Sequence, residues 1–249
     1  MKKLLILLAA LPSIVLAAGG NYPLDKAPDL TNDMAALQRG AKTFVNYCLN
    51  CHSAESMRFN RLADIGLTED QIKANLLFTA EKVGDPMKIA MSKNDAKKWF
   101  GATPPDLSLI TRSRASKAGT GADYLYTFLR TYYRDHSKLT GWNNMAFPNA
   151  GMPHVLWQLQ GINRAVYEES VLASGKTEHR FARFEQVQPG LLTPIEYDKL
   201  IADLTNFLVF MAEPVRQDRT RLGVIVLLFL GVFTIFAWRL NAVYWKDIK

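Results

Sequence analysis

Apolar residues recur with the period of a helix in two stretches, one near each end of the central part of the chain. The first stretch predicts a helix capped by Thr31 or Asn32, and its apolar face is formed by Leu37, Ala41, Phe44, Val45 and Cys48. The second begins at a capping box from Thr193 to Glu196 with Pro194 at the first helical position, and Pro214 ends it. Its apolar stripe consists of Tyr197, Leu200, Ile201, Leu204, Phe207, Leu208 and Met211. We expect these two helices to pack together.

Between them the pattern is less regular. Residues 122–136 predict one further core helix, whose apolar face is formed by Leu125, Phe128, Leu129 and Tyr132. Residues 56–67 suggest loop and a short helix, and residues 82–98 are polar enough to be solvated surface. Residues 155–190 alternate short apolar and polar runs, which indicates a loop or hairpin. The pattern therefore predicts a mainly α domain with long loop insertions.

Both ends of the chain carry longer apolar runs. Residues 1–18 have the form of an export signal, with Lys2 and Lys3 before an apolar run and cleavage after Ala17 or Ala18. An uncleaved anchor is the alternative, although the run is shorter than the ~20 residues that span a bilayer. Residues 222–240 form a second run, uncharged up to Arg239, and predict a transmembrane helix. We thus expect a signal at 1–18, an exported domain at 19–214, and at 215–249 a membrane anchor with a short cytoplasmic tail.

The composition narrows the possible functions. The formal net charge is +7, and it falls to +5 once Lys2 and Lys3 are removed with the signal. Export and the lack of a dense Lys/Arg block argue against a nucleic-acid partner. No Ser/His/Asp set or carboxylate pair suggests a hydrolase.

The chemistry lies in Cys48-Leu49-Asn50-Cys51-His52, which matches the C-x-x-C-H attachment motif of c-type haem. Two thiols at this spacing can add to the two vinyl groups of the porphyrin, and the histidine can bind the iron. These are the only two cysteines of the 249 residues. The alternative, a thioredoxin-type dithiol, expects a strand before the motif, whereas the sequence here predicts a helix. The motif therefore predicts one covalently bound haem c.

A haem that carries electrons needs a sixth iron ligand, and a methionine thioether raises the reduction potential. Met152 is the leading candidate, because it lies in the Gly/Pro-bounded loop from Phe147 to His154. Met145 is the nearest rival, and His154 or His136 would give bis-histidine ligation instead. The other methionines considered fall in helices or a charged stretch, namely Met34, Met91 and Met211.

The run Pro104-Pro105-Asp106-Leu107-Ser108 is followed by Arg112 and Arg114. Two prolines fix an extended backbone and then permit a helix to start. The arginines could pair with a buried haem propionate, which needs a cationic or hydrogen-bonding partner. They could equally be two surface residues on a solvated turn.

Taken together, these features resemble the cytochrome c1 family, the haem subunits of quinol–cytochrome c reductase (cytochrome bc1) complexes, in its bacterial form. The resemblance rests on the C-x-x-C-H motif, the Pro-Pro-Asp-Leu-Ser run, the loop from Phe147 to Pro153, and Met211-Ala212-Glu213-Pro214 leading into the final span. It implies a haem domain like that of class I cytochromes c, with Met152 as the distal ligand. It also implies that Pro105 lies at the cofactor and that Arg114, rather than Arg112, meets a propionate.

The same resemblance implies a place in respiration. The protein would sit in a bacterial inner membrane with its haem domain in the periplasm. Its partners would be cytochrome b, a Rieske iron–sulfur protein that reduces it and a soluble or anchored cytochrome c that oxidises it. It would not be an enzyme by itself. The residues leave two alternatives, a free-standing anchored cytochrome c serving an oxidase and a haem-based sensor with an open sixth site.

Overall fold

A computed structural model describes residues 22–171 and 177–248, so the predicted export signal lies outside the described residues. The description contains eight α-helices in these segments. Their bounds are α1 Met34–Thr43, α2 Glu69–Asn75, α3 Lys93–Phe100, α4 Ile110–Ser113, α5 Gly121–Arg130, α6 Trp157–Gln160, α7 Pro194–Ala212 and α8 Arg216–Tyr244. A π-helical turn, Phe44–Cys48, extends α1, and two 3₁₀ helices cover Phe59–Ile65 and Lys246–Ile248.

The strands form three separate antiparallel pairs within the described segments. They are β1 Ala54–Arg58 with β2 Pro86–Met87, β3 Tyr132–Arg134 with β4 Trp142–Asn144, and β5 Gly161–Val171 with β6 Thr177–Pro189. Most residues of the hydrophobic core lie in helices, and the β1–β2 pair adds Ala54, Met57 and Met87 to it.

The core is built where α1 crosses α7, as the two apolar stripes predict. Phe44 and Phe207 meet there with ring centroids 5.6 Å apart, and both side chains are fully buried. Gly40 permits this approach, since a Cβ atom at position 40 would lie 2.2 Å from the main-chain oxygen of Asp203. Arg39 then locks the crossing with two bonds to the Asp203 carboxylate, of 2.6 and 3.1 Å.

The sequence predicted the start of α7 correctly but not the start of α1. The capping box at Thr193 and Glu196 and the start at Pro194 are confirmed. The predicted cap of α1 at Thr31 or Asn32 is wrong, because Asp33 accepts the hydrogen bond from the amide of Ala36. Near Cys48 the helix widens to the π form, which is frequent at functional sites.

The predicted helix at 122–136 is too long. α5 stops at Arg130, and Tyr132 is the first residue of β3, paired with Asn144 of β4. Tyr132 is still buried, so the helical period identified its burial but not its backbone. The segment 56–67 begins with residues of β1 before the expected short helix. Within 82–98, Met87 pairs with β1 and is fully buried, so this part is not all surface.

The expected loop or hairpin at 155–190 is confirmed as the β5–β6 ribbon. A ribbon of two strands is only marginally stable alone. Here aromatic contacts support it: Phe181 meets Tyr167 and Tyr22, and Phe184 meets Tyr133 on β3. The ribbon is thereby held against the β3–β4 pair.

The predicted span at 222–240 lies within α8, which starts six residues earlier, at Arg216. The polar residues that precede the apolar run, Arg216, Asp218, Arg219 and Arg221, therefore belong to the same helix. Asp218–Tyr244 is long and apolar enough to cross a membrane. Its most apolar 18-residue stretch is not buried by the rest of the described protein. Such a helix finds a favourable environment in lipid.

Candidate haem site

The C-x-x-C-H motif forms a closed turn at the end of the π-helical segment. The amides of Cys51 and His52 both donate to the main-chain oxygen of Cys48, at 3.1 and 2.9 Å. The two thiols are not bonded to each other. Desolvation, with a smaller contribution from Cys51, raises the pKa of the Cys48 thiol to about 12. A helix precedes the motif, whereas a thioredoxin-type dithiol would be expected to follow a strand.

His52 is held with one ring nitrogen free for iron. Its Nδ1 lies 2.8 Å from the main-chain oxygen of Pro105, which can only accept a hydrogen bond. The neutral ring therefore carries its proton on Nδ1, and Nε2 keeps a lone pair. Burial lowers the pKa of His52, although the bond to Pro105 and the charge of Asp106 act in the opposite direction. The neutral form is the one that binds a metal.

The Pro-Pro-Asp-Leu-Ser run is fastened to the segment after the motif. The Asp106 carboxylate accepts from the amides of Glu55 and Ser108, both at 2.8 Å. The amide of Leu107 donates to the main-chain oxygen of Ser53 at 2.8 Å, and the Ser108 hydroxyl accepts from the amide of Ser56 at 3.0 Å. These bonds fix the carbonyl of Pro105 beside His52. The run thus acts on the site through the backbone.

The loop that contains Met152 is attached to β4 by two asparagines. The Asn144 side-chain oxygen accepts from the amide of Phe147 at 3.0 Å, and that of Asn143 accepts from the amide of Asn149 at 2.8 Å. Both asparagines are buried. Asn149 has φ 63°, a left-handed conformation that asparagine tolerates. This geometry turns the chain toward Met152.

The far side of the loop packs on the same strand pair. The Tyr132 hydroxyl donates to the main-chain oxygen of Met152 at 3.1 Å. The His154 ring stacks on Tyr132, with centroids 4.7 Å apart and planes 5° from parallel, and meets the edge of Trp142 at 5.2 Å. Burial lowers the pKa of His154 to about 4, so the ring is neutral at pH 7. The packing fixes the plane of the His154 ring, but its Nε2 is buried without a hydrogen-bond partner among the described residues, so bis-histidine ligation through His154 stays an alternative.

The other candidates for the sixth ligand occupy different surroundings. The Met145 sulfur accepts a hydrogen bond from Tyr167 of β5 at 3.8 Å. His136 is exposed in the turn between β3 and β4, and Met34 is 58% exposed. Met91 is half-buried, and Met211 lies in the core. Met152 is half-buried in its loop.

The two arginines differ in their contacts. Arg112 is exposed and lies 3.6 Å from the Glu213 carboxylate at the end of α7. Arg114 places its guanidinium 5.5 Å from the centre of the Tyr124 ring. Tyr124 begins a row of rings that continues through Phe128 to Tyr132, with centroids 5.8 and 5.2 Å apart. Arg114 therefore lies at the outer end of the row that reaches the Met152 loop.

Sequence reasoning missed Tyr132, Asn143 and Asn144 as residues of the site. The first was assigned to a helix, and the two asparagines follow no apolar period. The signal that could have found them is the pair Asn143-Asn144 just before a Pro/Gly loop, since buried amides there must bond to backbone.

The residues present fit a c-type haem: two free thiols on one turn, an imidazole with Nε2 available, and a methionine in a braced loop. Together with α8 they define a membrane-anchored c-type haem protein. The comparisons with known proteins then identify the family. The protein-family model described as "Cytochrome C1 family" matches residues 26–248, and the chain belongs to that family.

Three relatives show how close the similarity is. The chain is 45% identical to cytochrome c1 of Allochromatium vinosum over all of both chains. It is 46% identical to a protein named ammonia monooxygenase gamma subunit of Nitrosomonas europaea, over 99% of this chain and 98% of that one. It is 29% identical to cytochrome c1 of Rhodospirillum rubrum over 87% of this chain and 83% of that one.

Membership settles the general function. Cytochrome c1 is the electron-transfer haem subunit of the cytochrome bc1 complex, and it carries a covalently bound haem c. The free-standing carrier is therefore not favoured. Among the described residues, α8 is the one helix long and apolar enough to cross a membrane, and cytochrome c1 belongs to a complex that also contains cytochrome b and a Rieske protein.

Proposed function

We propose that this chain takes single electrons from the Rieske iron–sulfur protein and passes them to a cytochrome c, through a haem attached at Cys48 and Cys51. His52 and Met152 would bind its iron. The hydrogen bond from His52 Nδ1 to Pro105 is the observation that carries the proposal, since it fixes the tautomer that leaves Nε2 for iron. When bound, the haem supplies the one-electron chemistry.

The protein's own groups orient and protect that cofactor. Pro105 and Asp106 hold the proximal imidazole, whereas Asn143, Asn144 and Tyr132 hold the loop that brings Met152. Met145 is less suited to the iron, because Tyr167 already donates to its sulfur. No residue is required to move a proton or break a substrate bond, so turnover belongs to the complex and not to this chain alone.

Arg114 is the better candidate for a haem propionate. Arg112 already has the Glu213 carboxylate as a partner, whereas Arg114 has its aromatic neighbour Tyr124. A guanidinium beside the row of rings that leads to the Met152 loop is suitably placed to meet an anionic edge of the cofactor. Arg114→Gln should shift the reduction potential more than Arg112→Gln does.

The remaining organisation follows from export. Residues 1–18 would be removed, residues 19–214 would form the periplasmic haem domain, and residues 215–249 would anchor it with a short cytoplasmic tail. An alkaline phosphatase fusion at position 214 should be active and one at position 249 inactive. The reverse pattern would place the haem domain inside the cell.

The ligand assignment is tested by two matched methionine variants in the native complex. Met152→Leu should abolish the weak sulfur-to-iron band of the ferric haem and lower the reduction potential, because the thioether favours ferrous iron. Met145→Leu should leave both nearly unchanged. If Met145→Leu alone removes the band, the sixth ligand is Met145. In both variants haem should remain bound after denaturing electrophoresis, since attachment depends on Cys48 and Cys51.

The name of the Nitrosomonas relative offers a second activity to test. If the chain acts in a cytochrome bc1 complex, purification in mild detergent should bring cytochrome b with it. The preparation should then reduce cytochrome c with electrons from quinol. Ammonia-dependent oxygen consumption by the same preparation, without quinol-dependent reduction, would favour the other activity.

A further inference from the structure

The β3–β4 pair holds the loop from Phe147 to His154 at several points, and only one of them reaches Met152 itself. Asn144 and Asn143 bind the amides of Phe147 and Asn149, before the methionine. The His154 ring packs after it. Within the described part of the chain, the Tyr132 hydroxyl makes the one side-chain hydrogen bond to Met152, through its main-chain oxygen at 3.1 Å.

Tyr132 is itself fixed. Its residue is 1% exposed, with Phe128 edge-on to its ring at 5.2 Å and His154 stacked on it at 4.7 Å. Its paired residue on the neighbouring strand β4 is Asn144, whose side chain binds the same loop. The hydroxyl therefore has little freedom to follow Met152 if the loop moves away. Breaking the bond would leave a partly buried carbonyl without its donor, which is unfavourable.

We propose that Tyr132 is a positioning residue for the sixth ligand: its hydroxyl holds the main chain at Met152 and so limits how often the methionine leaves the iron. The proposal rests on the ligation by Met152 proposed above. It concerns the opening of the loop and not the chemistry of the sulfur. Its consequence is a low rate of entry for external ligands at the distal side.

The experiment measures cyanide binding to the ferric haem in the native, detergent-solubilised complex. Tyr132→Phe removes the hydroxyl and keeps the ring with its stacking. Because the loop loses its bond at Met152, the open fraction and with it the rate of cyanide binding should rise about tenfold. The sulfur-to-iron band should persist at neutral pH. As the pH is then raised, the band should disappear at a lower pH than in the unmodified protein.

Tyr197 supplies the matched control. Its hydroxyl also donates from a buried ring to a main-chain oxygen, that of Leu129, at 2.8 Å, but it lies in the α5–α7 contact. Tyr197→Phe should lower the unfolding midpoint without changing cyanide binding. Equal cyanide rates in Tyr132→Phe and Tyr197→Phe would overturn the proposal, since the effect would then be one of general stability or absent.

Two further variants separate the possible failures. In Met152→Leu the sixth position is already open, so adding Tyr132→Phe should leave the cyanide rate unchanged; a further tenfold rise would overturn the proposed role. If Met152→Leu alone leaves both the band and the cyanide rate unchanged, the ligand assignment is what fails. If Tyr132→Phe does not accumulate, tyrosine 132 can be replaced by 3-fluorotyrosine, whose hydroxyl is a stronger hydrogen-bond donor than that of tyrosine. This replacement should slow cyanide binding, and an unchanged or faster rate would count against the proposal.

Discussion

The Nδ1 atom of His52 lies 2.8 Å from the main-chain oxygen of Pro105, a residue 53 positions later in the sequence. A carbonyl is a suitable partner here, because it accepts the ring proton and cannot supply one. The bond also explains why a Pro-Pro run stands beside a haem motif: proline fixes the backbone that presents the oxygen. Orientation of a metal-binding histidine by such a partner commonly tunes the metal.

Asp106 should tune the reduction potential through charge. Its carboxylate acts electrostatically on His52 and therefore favours the more positive ferric state of the cofactor. Asp106→Asn removes that charge and should raise the potential. Two unit charges about 10 Å apart in water interact by about 0.4 kcal/mol, which corresponds to a shift on the order of 20 mV. Redox titration of the purified complex measures it.

The control for Asp106 is Glu69→Gln, which removes a charge from an exposed ion pair with Lys73. It should leave the potential unchanged, because exposed charges at a distance are screened by salt. A fall in potential in Asp106→Asn would mean that loss of its bonds to Glu55 and Ser108 disturbs the proximal side more than the charge does.

Gly40→Ala should destabilise the domain strongly. The new Cβ would lie 2.2 Å from the Asp203 oxygen and 2.7 Å from the Phe207 Cβ, so α1 and α7 must separate. Overpacking of this kind costs about 1–3 kcal/mol of unfolding free energy. Gly84→Ala is the control, since nothing lies within 4 Å of that position. Urea midpoints that are equal in both variants would show that the crossing can relax.

The comparison of sequence with structure separates local signals from distant ones. The C-x-x-C-H motif, the capped helix at Thr193 and the terminal span are encoded by neighbouring residues, and the sequence predicted them. Tyr132 was assigned to a helix because its spacing from Leu125 and Leu129 is helical. In the structure its backbone pairs with Asn144, a contact that no local period reports.

The details of the site depended on such distant contacts. The Pro-Pro run indicated a special backbone, but only the fold shows that its carbonyl meets His52. Likewise, the partner of Arg112 is Glu213, about a hundred residues away, and no spacing rule could supply it. The π-helical turn at Phe44–Cys48 is also invisible to a 3.6-residue pattern.

Asp123 should make the domain sensitive to acid. Desolvation raises its pKa, but hydrogen bonds from the Ala27 amide, at 2.8 Å, and from Thr120 outweigh this and lower the pKa overall. A carboxylate with a lowered folded pKa contributes stability that is complete above its unfolded pKa of about 3.9 and is lost as pH falls through the folded value. The urea midpoint should therefore fall at pH 3 relative to pH 7.

Asp123→Asn should lower the midpoint at pH 7 and flatten the acid dependence. The amide oxygen can still accept from Ala27, but the NH₂ group would face the amide of Thr120, a cost of about 1–3 kcal/mol. Asp64→Asn removes only a surface pair with Arg61 and should change little. An unaltered pH slope in Asp123→Asn would assign the acid sensitivity to another carboxylate.

The last prediction separates folding of the haem domain from assembly. α7 ends at Ala212 and packs its apolar stripe against α1 and α5, whereas the most apolar 18-residue stretch of α8 is not buried by the described part of the protein. About a dozen Leu, Ile, Phe and Val residues lie between 222 and 238, and each favours the bilayer centre by roughly 0.3–0.6 kcal/mol. A chain stopped after Arg216 should thus be a soluble, exported protein with its haem and its sulfur-to-iron band intact.

The same truncated chain should not restore quinol-dependent reduction of cytochrome c in membranes, because its haem is no longer held beside the donor. The control is a chain whose span is replaced by an unrelated single-pass helix: if anchoring alone is needed, activity returns, and if α8 makes specific contacts with the complex, it does not. Loss of haem from the truncated chain would show that α8 is part of the haem domain. Full turnover without any anchor would contradict the role as a fixed subunit.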